Sequence, residues 1–109
     1  MKPLLKGMGV SKGKTIGVCR IVLSRSDFDK VKAGDILVAR STDPSYVILF
    51  IKVSGIITEI GGICSHAALV SREYGIPCIA GVQEACQKLK DGQKIVLDAD
   101  KGVIYAASE

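Results

Sequence analysis

The 109-residue chain contains no tryptophan, only two phenylalanines and three tyrosines, and a single histidine, His66. So few aromatic rings argue against a platform for stacking nucleic-acid bases. No apolar run reaches the length of a membrane-spanning helix, and the opening residues MKPLLKGMGV include none long enough for a signal peptide. The sequence therefore predicts a cytoplasmic protein that binds neither nucleic acid nor a membrane.

The charge balance is mildly basic, with fifteen Lys and Arg against eleven Asp and Glu and a formal net charge of +4. The excess is spread thinly along the chain, and acidic residues lie close to the basic ones. This pattern is typical of a solvated surface rather than of a nucleic-acid-binding stripe. The net positive charge leaves open a mild attraction to phosphate-bearing or acidic partners.

The four cysteines are Cys19, Cys64, Cys78 and Cys86, and no two of them form a C-x-x-C motif. Three lie in apolar stretches, which favours buried or half-buried thiols in a reducing compartment. Cys64 and His66 could supply two ligands to a metal ion, but no further ligand nearby completes a zinc set. We therefore predict no metal site.

Residues 1–109 fit a single domain, because one hydrophobic core commonly occupies 100–150 residues. A glycine-punctuated stretch (6–13) leads into the first strand, and a polar connection (26–35) follows it. Strands are predicted over residues 14–24, 36–40, 55–60 and 78–82, with a closing hairpin over 93–107. Helices are predicted from Asp43-Pro44 onward, over 66–74 and within 83–92. Alternating strands and helices with strand-rich ends predict an α/β fold with three layers, β/β/α.

The single histidine lies in the segment TEIGGICSHAALVSREYGIPCIAG, where a strand, a Gly61-Gly62 turn and a helix succeed one another. Ser65 is the expected N-cap, and free N–H groups at a helix start favour an anion. We expect Leu69, Val70 and Tyr74 on the buried side of the helix and Ser71, Arg72 and Glu73 on its polar surface. Ala67 and Ala68 are expected to add no bulk around the ring. The segment has neither the P-loop spacing nor the Rossmann spacing.

An exposed neutral imidazole at such a helix start is a good nucleophile near neutral pH and can accept a phosphoryl group. The alternative from composition and spacing is a histidine that only caps the helix or pairs locally.

The stretch GGICSHAALVSREYGIP resembles the phosphohistidine signature of phosphoenolpyruvate-utilising enzymes, a family that includes phosphoenolpyruvate synthase and pyruvate phosphate dikinase. The signature falls on residues 61–72, with Cys64 where the family usually has threonine. The stretches KGMGVSKGKTIGVCRIV, VKAGDILVARSTDP and LKDGQKIVLDADKGVIY resemble other parts of the family's mobile domain. The resemblance therefore covers nearly the whole chain in order.

The resemblance implies a swivelling β/β/α domain whose histidine, His66, carries a phosphoryl group between two remote active sites. Gly61, Gly62, Ala67 and Ala68 would then provide clearance, and Cys64 and Ser65 would be neighbouring polar groups. Arg72 lies about 240° around the helix from His66, so a structural ion pair is expected for it rather than a phosphate contact.

The expected partners are nucleotide-binding and phosphoenolpyruvate- or pyruvate-binding domains, in cis or in trans. We expect magnesium in those partners, no cofactor on this domain itself, and no turnover by this domain alone. The alternative function is a non-catalytic regulatory or interaction module of the same fold, such as the domain appended to some pyruvate kinases.

Overall fold

A computed structural model describes residues 2–107, so residues 1, 108 and 109 of the predicted domain lie outside it. In the described part the strands are β1 (Pro3–Lys6), β2 (Met8–Ser11), β3 (Lys14–Val22), β4 (Ile36–Ala39), β5 (Gly55–Thr58), β6 (Cys78–Ala80), β7 (Lys94–Asp98) and β8 (Val103–Ala106). The α-helices are α1 (Val47–Phe50), α2 (His66–Tyr74) and α3 (Ala85–Lys88), and two 3-10 segments cover Arg25–Lys30 and Pro44–Tyr46.

The strands pair in the order β1-β8-β7-β3-β4-β5-β6-β2. The central strands β3 to β6 are parallel, as expected for strands joined by crossover connections, and the others pair antiparallel. The long strand β3 belongs to both halves, because residues 14–18 pair with β7 and residues 19–22 pair with β4. Only Gly7 separates β1 from β2, although they lie at opposite ends of the order. The sheet therefore folds over on itself into two layers.

Two hydrophobic clusters separate the layers. Successive residues of a strand point to opposite faces, so β4 contributes Ile36 and Val38 to one cluster and Leu37 and Ala39 to the other. The first cluster joins the parallel strands to β7 and β8, and the second joins them to α1 and α2. The predicted three-layer β/β/α arrangement is confirmed.

The predicted elements are mostly present, and α2 covers the predicted residues 66–74. Two strands were missed: β1, which precedes the glycine-punctuated stretch (6–13), and β2, which lies inside it. Gly9 is required there because a Cβ would lie 1.8 Å from the carbonyl oxygen of Ala99. The polar connection contains a 3-10 helix at Arg25–Lys30, and the helix expected from Asp43-Pro44 is a 3-10 turn followed by one α-turn. None of the described helices is both long enough and apolar enough to span a bilayer.

Candidate functional site at His66

The turn before His66 is closed by hydrogen bonds of Ser65. The Ser65 backbone N–H donates to the Gly62 carbonyl (3.1 Å), and its hydroxyl donates to the same oxygen (2.8 Å). Ser65 Oγ also accepts from the backbone N–H of Ala68 (3.3 Å), so the predicted N-cap is confirmed. His66 is thereby the first residue of α2.

The two glycines of this turn have different roles in the backbone. Gly61 has a φ of +119°, which residues with side chains rarely adopt, and a Cβ there would lie 2.9 Å from Ser65 Cβ. Gly62 has no such φ, and a Cβ there would meet nothing within 4 Å. The turn itself requires only Gly61, whereas a side chain at Gly62 would project into open space.

Thr42 holds the imidazole from a different element. Its Oγ1 lies 2.8 Å from Nδ1 of His66, and Thr42 follows β4, which pairs with the β5 strand that leads into the turn. The sequence analysis missed this residue. The position of Thr42 shortly after a predicted strand could have indicated it, because the carboxyl ends of neighbouring parallel strands meet at one edge of the sheet.

The Thr42 contact leaves the two ring nitrogens in different environments. Nδ1 is engaged by Thr42, while no hydrogen bond to Nε2 is seen within residues 2–107. When Nδ1–H donates to Thr42 Oγ1, the lone pair of Nε2 is available as a nucleophile. His66 is half-buried, and its ring stands edge-on to Phe50 with the centroids 6.0 Å apart.

Asp43 fixes the segment that carries Thr42. Its carboxylate accepts from the Ser45 backbone N–H (2.8 Å) and from the Ser45 hydroxyl, as expected for the predicted cap. These hydrogen bonds lower the pKa of Asp43, with smaller electrostatic contributions from the nearby Arg25 and His66. An anionic carboxylate thus lies in the electrostatic neighbourhood of the imidazole.

The buried face of α2 differs from the prediction. Leu69 and Tyr74 are 53% and 44% exposed, whereas Ala67, Ala68 and Ser71 are buried. The two alanines face the hydrophobic core, where their small size lets the helix approach the sheet. The assignment of Leu69 and Tyr74 to the buried side and of Ser71 to the surface was wrong, because close packing selects the small residues.

Cys64 is exposed in the turn, two residues before His66. The ion pair expected for Arg72 is not what the structure shows within residues 2–107. The guanidinium donates instead to the backbone carbonyls of Val10 (2.8 Å) and Ile63 (2.7 Å). The described residues include no group of three or more His, Cys, Asp or Glu side chains that could hold a metal ion.

Fold and site together define a β/β/α domain with one histidine held at a helix start beside an open glycine turn. The family described as PEP-utilising enzyme, mobile domain, matches residues 31–102. The chain belongs to this family.

Curated relatives are similar over most of the chain. The phosphoenolpyruvate synthase of Pyrococcus furiosus is 45% identical over 102 residues, which cover 94% of this chain and 12% of the relative. The rifampicin phosphotransferase of Bacillus subtilis is 43% identical over 98 residues, which cover 90% of this chain and 11% of the relative. The chain thus spans about one eighth of the length of the curated relatives it matches.

Solved structures share the fold. The crystal structure of Thermococcus kodakaraensis aconitase X superposes with a TM-score of 0.72 at 26% identity, covering 95% of this chain and 98% of that one. A solution structure of Enzyme I superposes with a TM-score of 0.61 at 25% identity, covering 71% and 32% of the two chains. Because proteins with such different names share it, the fold alone does not identify an activity.

Proposed function

We propose that this domain is a phosphoryl carrier and that His66 accepts and then delivers the phosphoryl group. The observation that carries the proposal is the asymmetry of the imidazole. Thr42 engages Nδ1 at 2.8 Å, while Nε2 has no partner among residues 2–107. A nucleophile needs this arrangement, with one nitrogen oriented by a second group and the other free to attack.

In the proposed step, the lone pair of Nε2 attacks phosphorus and the bond between phosphorus and the leaving oxygen breaks. The ring keeps its Nδ1 proton and becomes cationic, and the Thr42 hydroxyl stabilises it by accepting from Nδ1–H. Delivery breaks the N–P bond and returns the electron pair to Nε2. Gly61 and Gly62 leave room for the donor and acceptor, and Cys64 and Ser65 supply the polar side chains that directly precede His66 in the turn.

Partner domains complete the reaction in this proposal. Phosphoryl transfer requires neutralisation of the charge spread over the transferred group, usually by metal ions and several cationic or backbone donors. We assign these groups to nucleotide-binding and phosphoenolpyruvate- or pyruvate-binding domains, and any Mg²⁺ to those domains as well. The matched relatives are about eight times longer than the matched segment, which supports further domains in cis. The four free cysteines support a cytoplasmic location.

No observation favours a non-catalytic regulatory module. The names of the curated relatives are those of a synthase and a phosphotransferase, and both align through the His66 segment with most of the chain.

The experiment is a labelling test of the purified chain with ATP or phosphoenolpyruvate and Mg²⁺, in the absence and presence of the partner domains. We expect label only when the partner domains are present. The label should be lost in acid and retained in alkali, as expected for a phosphoramidate bond. The His66→Ala variant is expected to stay unlabelled yet folded, because a half-buried residue at a helix start contributes little packing.

An acid-stable label on Ser65 or Ser71 would contradict the proposal. Stoichiometric labelling of His66 by either donor alone would instead show that the chain contains its own donor site.

A further inference from the structure

Strand β2 contains a β-bulge at Val10, next to helix α2. In its pairing with β6, Gly9 lies opposite Ile79 and Ser11 lies opposite the adjacent Cys78, so Val10 is the extra residue. Bulges disrupt the regular ladder and re-aim backbone groups, and they are frequent beside functional sites.

Arg72 joins this bulge to the turn before His66. Its Nη1 donates to the Val10 carbonyl at 2.8 Å, and its Nη2 donates to the Ile63 carbonyl at 2.7 Å. Val10 lies 62 residues from Arg72 in the sequence and Ile63 lies 9 residues from it, so the two carbonyls belong to distant segments of the chain. The planar guanidinium spans both acceptors at once, which the single ammonium of lysine cannot do with the same geometry.

Ile63 is the second residue of the turn that Ser65 closes onto Gly62. The Ser65 bonds therefore join the two ends of the turn, and Arg72 holds Ile63 inside it. His66 follows directly, and its ring must meet Thr42, which belongs to another element.

We infer that Arg72 is a positioning residue, which holds the turn of residues 62–65 against the β2 bulge and so keeps Nδ1 of His66 on Thr42. Both terminal nitrogens of Arg72 donate to backbone carbonyls, so the residue acts on the ring through the backbone of the turn. The inference rests on the proposed function for the importance of His66. Its test does not use phosphoryl transfer, so failure of one is distinguishable from failure of the other.

The test uses nitrogen-15 NMR of the 109-residue chain and of the variants Arg72→Lys and Arg72→Gln. In the wild type, Nδ1 and Nε2 of His66 are expected to have clearly separate shifts that report one tautomer. In both variants the two shifts should converge toward the values of free imidazole. The Ser65 amide should exchange with solvent about tenfold faster or more, since a hydrogen bond from a charged donor is lost.

The matched control is Arg20→Lys in strand β3, which alters a guanidinium contact with Asp35 (2.9 Å) and no contact of the turn before His66. It should leave the His66 shifts and the Ser65 exchange rate unchanged. Unchanged His66 shifts in the Arg72 variants, or an equal change in the control, would overturn the inference.

A measurement on the wild type needs no variant. The Nη protons of Arg72 are expected to give resolved, slowly exchanging signals, because both nitrogens donate to backbone carbonyls and the bond to Val10 is partly buried. Averaged, fast-exchanging signals like those of the exposed Arg25 would also overturn the inference.

Discussion

Thr42 Oγ1 and His66 Nδ1 lie 2.8 Å apart although 24 residues separate them in the chain. Strands β4 and β5 are parallel neighbours, so the segments after them leave the sheet at the same edge. The imidazole is therefore oriented by the register of the sheet and not by its own helix.

Replacement of Thr42 by valine should impair His66 without unfolding the chain. The variant keeps the side-chain shape and removes the hydroxyl, so Nδ1 loses its partner. We expect stability to fall by about 1 kcal/mol and phosphoryl acceptance, with the partner domains present, to fall about tenfold or more. Thr42→Ser keeps the hydroxyl and should retain most of the activity. Equal labelling rates for Thr42→Val and the wild type would show that Nδ1 needs no support.

The two glycines of the turn should differ in their tolerance of a side chain. Gly61→Ala places a Cβ at a φ of +119° and 2.9 Å from Ser65 Cβ, so we expect a loss of about 1–3 kcal/mol in the free energy of unfolding. Gly62→Ala, the matched control, meets nothing within 4 Å and should change that free energy by less than about 1 kcal/mol. Urea unfolding of both variants measures the difference, and equal losses would contradict this description of the turn.

Cys64 should be the one fast-reacting thiol of the native protein among Cys19, Cys64, Cys78 and Cys86. Burial raises the pKa of Cys19 to about 12 and of Cys78 to about 11. Burial and the nearby Glu59 carboxylate raise that of Cys86 to about 12. Since the thiolate is the reactive form, each of these three thiols should react at least about a hundredfold more slowly than Cys64.

The measurement counts thiols with a chromogenic disulfide reagent near neutral pH, where one rapid equivalent is expected before denaturation and four after it. Cys64→Thr, which restores the residue usual in the family, should remove the rapid phase and remain able to accept phosphoryl. A rapid phase that persists in this variant would place the reactive thiol elsewhere.

Asp91 should make stability depend on pH at the acid end. Partial burial acts to raise its pKa, but hydrogen bonds from Lys30 Nζ (2.8 Å) and the Ile21 backbone N–H (2.7 Å) outweigh that effect and lower it below the ordinary value of 3.8. The folded state thus binds the proton less readily than the unfolded state. This contribution to stability is present above about pH 4 and is lost as the pH falls through the folded pKa.

As the pH falls from about 5 to about 3, the free energy of unfolding of Asp91→Asn should accordingly decrease less than that of the wild type, as measured by urea unfolding. Asp29→Asn is the control, because Asp29 is exposed and makes no ion pair among the described residues. A wild-type slope in the Asp91 variant would mean that this carboxyl contributes nothing to acid unfolding.

Much of the site could be predicted from sequence because its interactions are local. Ser65 caps α2 by accepting from the backbone N–H three residues ahead of it. Gly75, with a φ of +71°, ends the same helix one residue after Tyr74. Such contacts lie within one turn of the backbone, so the order of residue types is enough to specify them. The resemblance of residues 61–72 to a family signature added the histidine's proposed role.

The remaining features depend on distances that no local pattern encodes. Thr42 meets His66 through strand register, and Arg72 reaches Val10 because a bulge in β2 turns a carbonyl toward α2. Strand β2 was missed since its Gly9 fits where two backbones nearly touch, not where side chains alternate. The sequence by itself determined the histidine, its turn and the helix that begins there. Tertiary packing decided which side chain orients the ring, which face of the helix is buried and what Arg72 holds, because these depend on how separate elements come together.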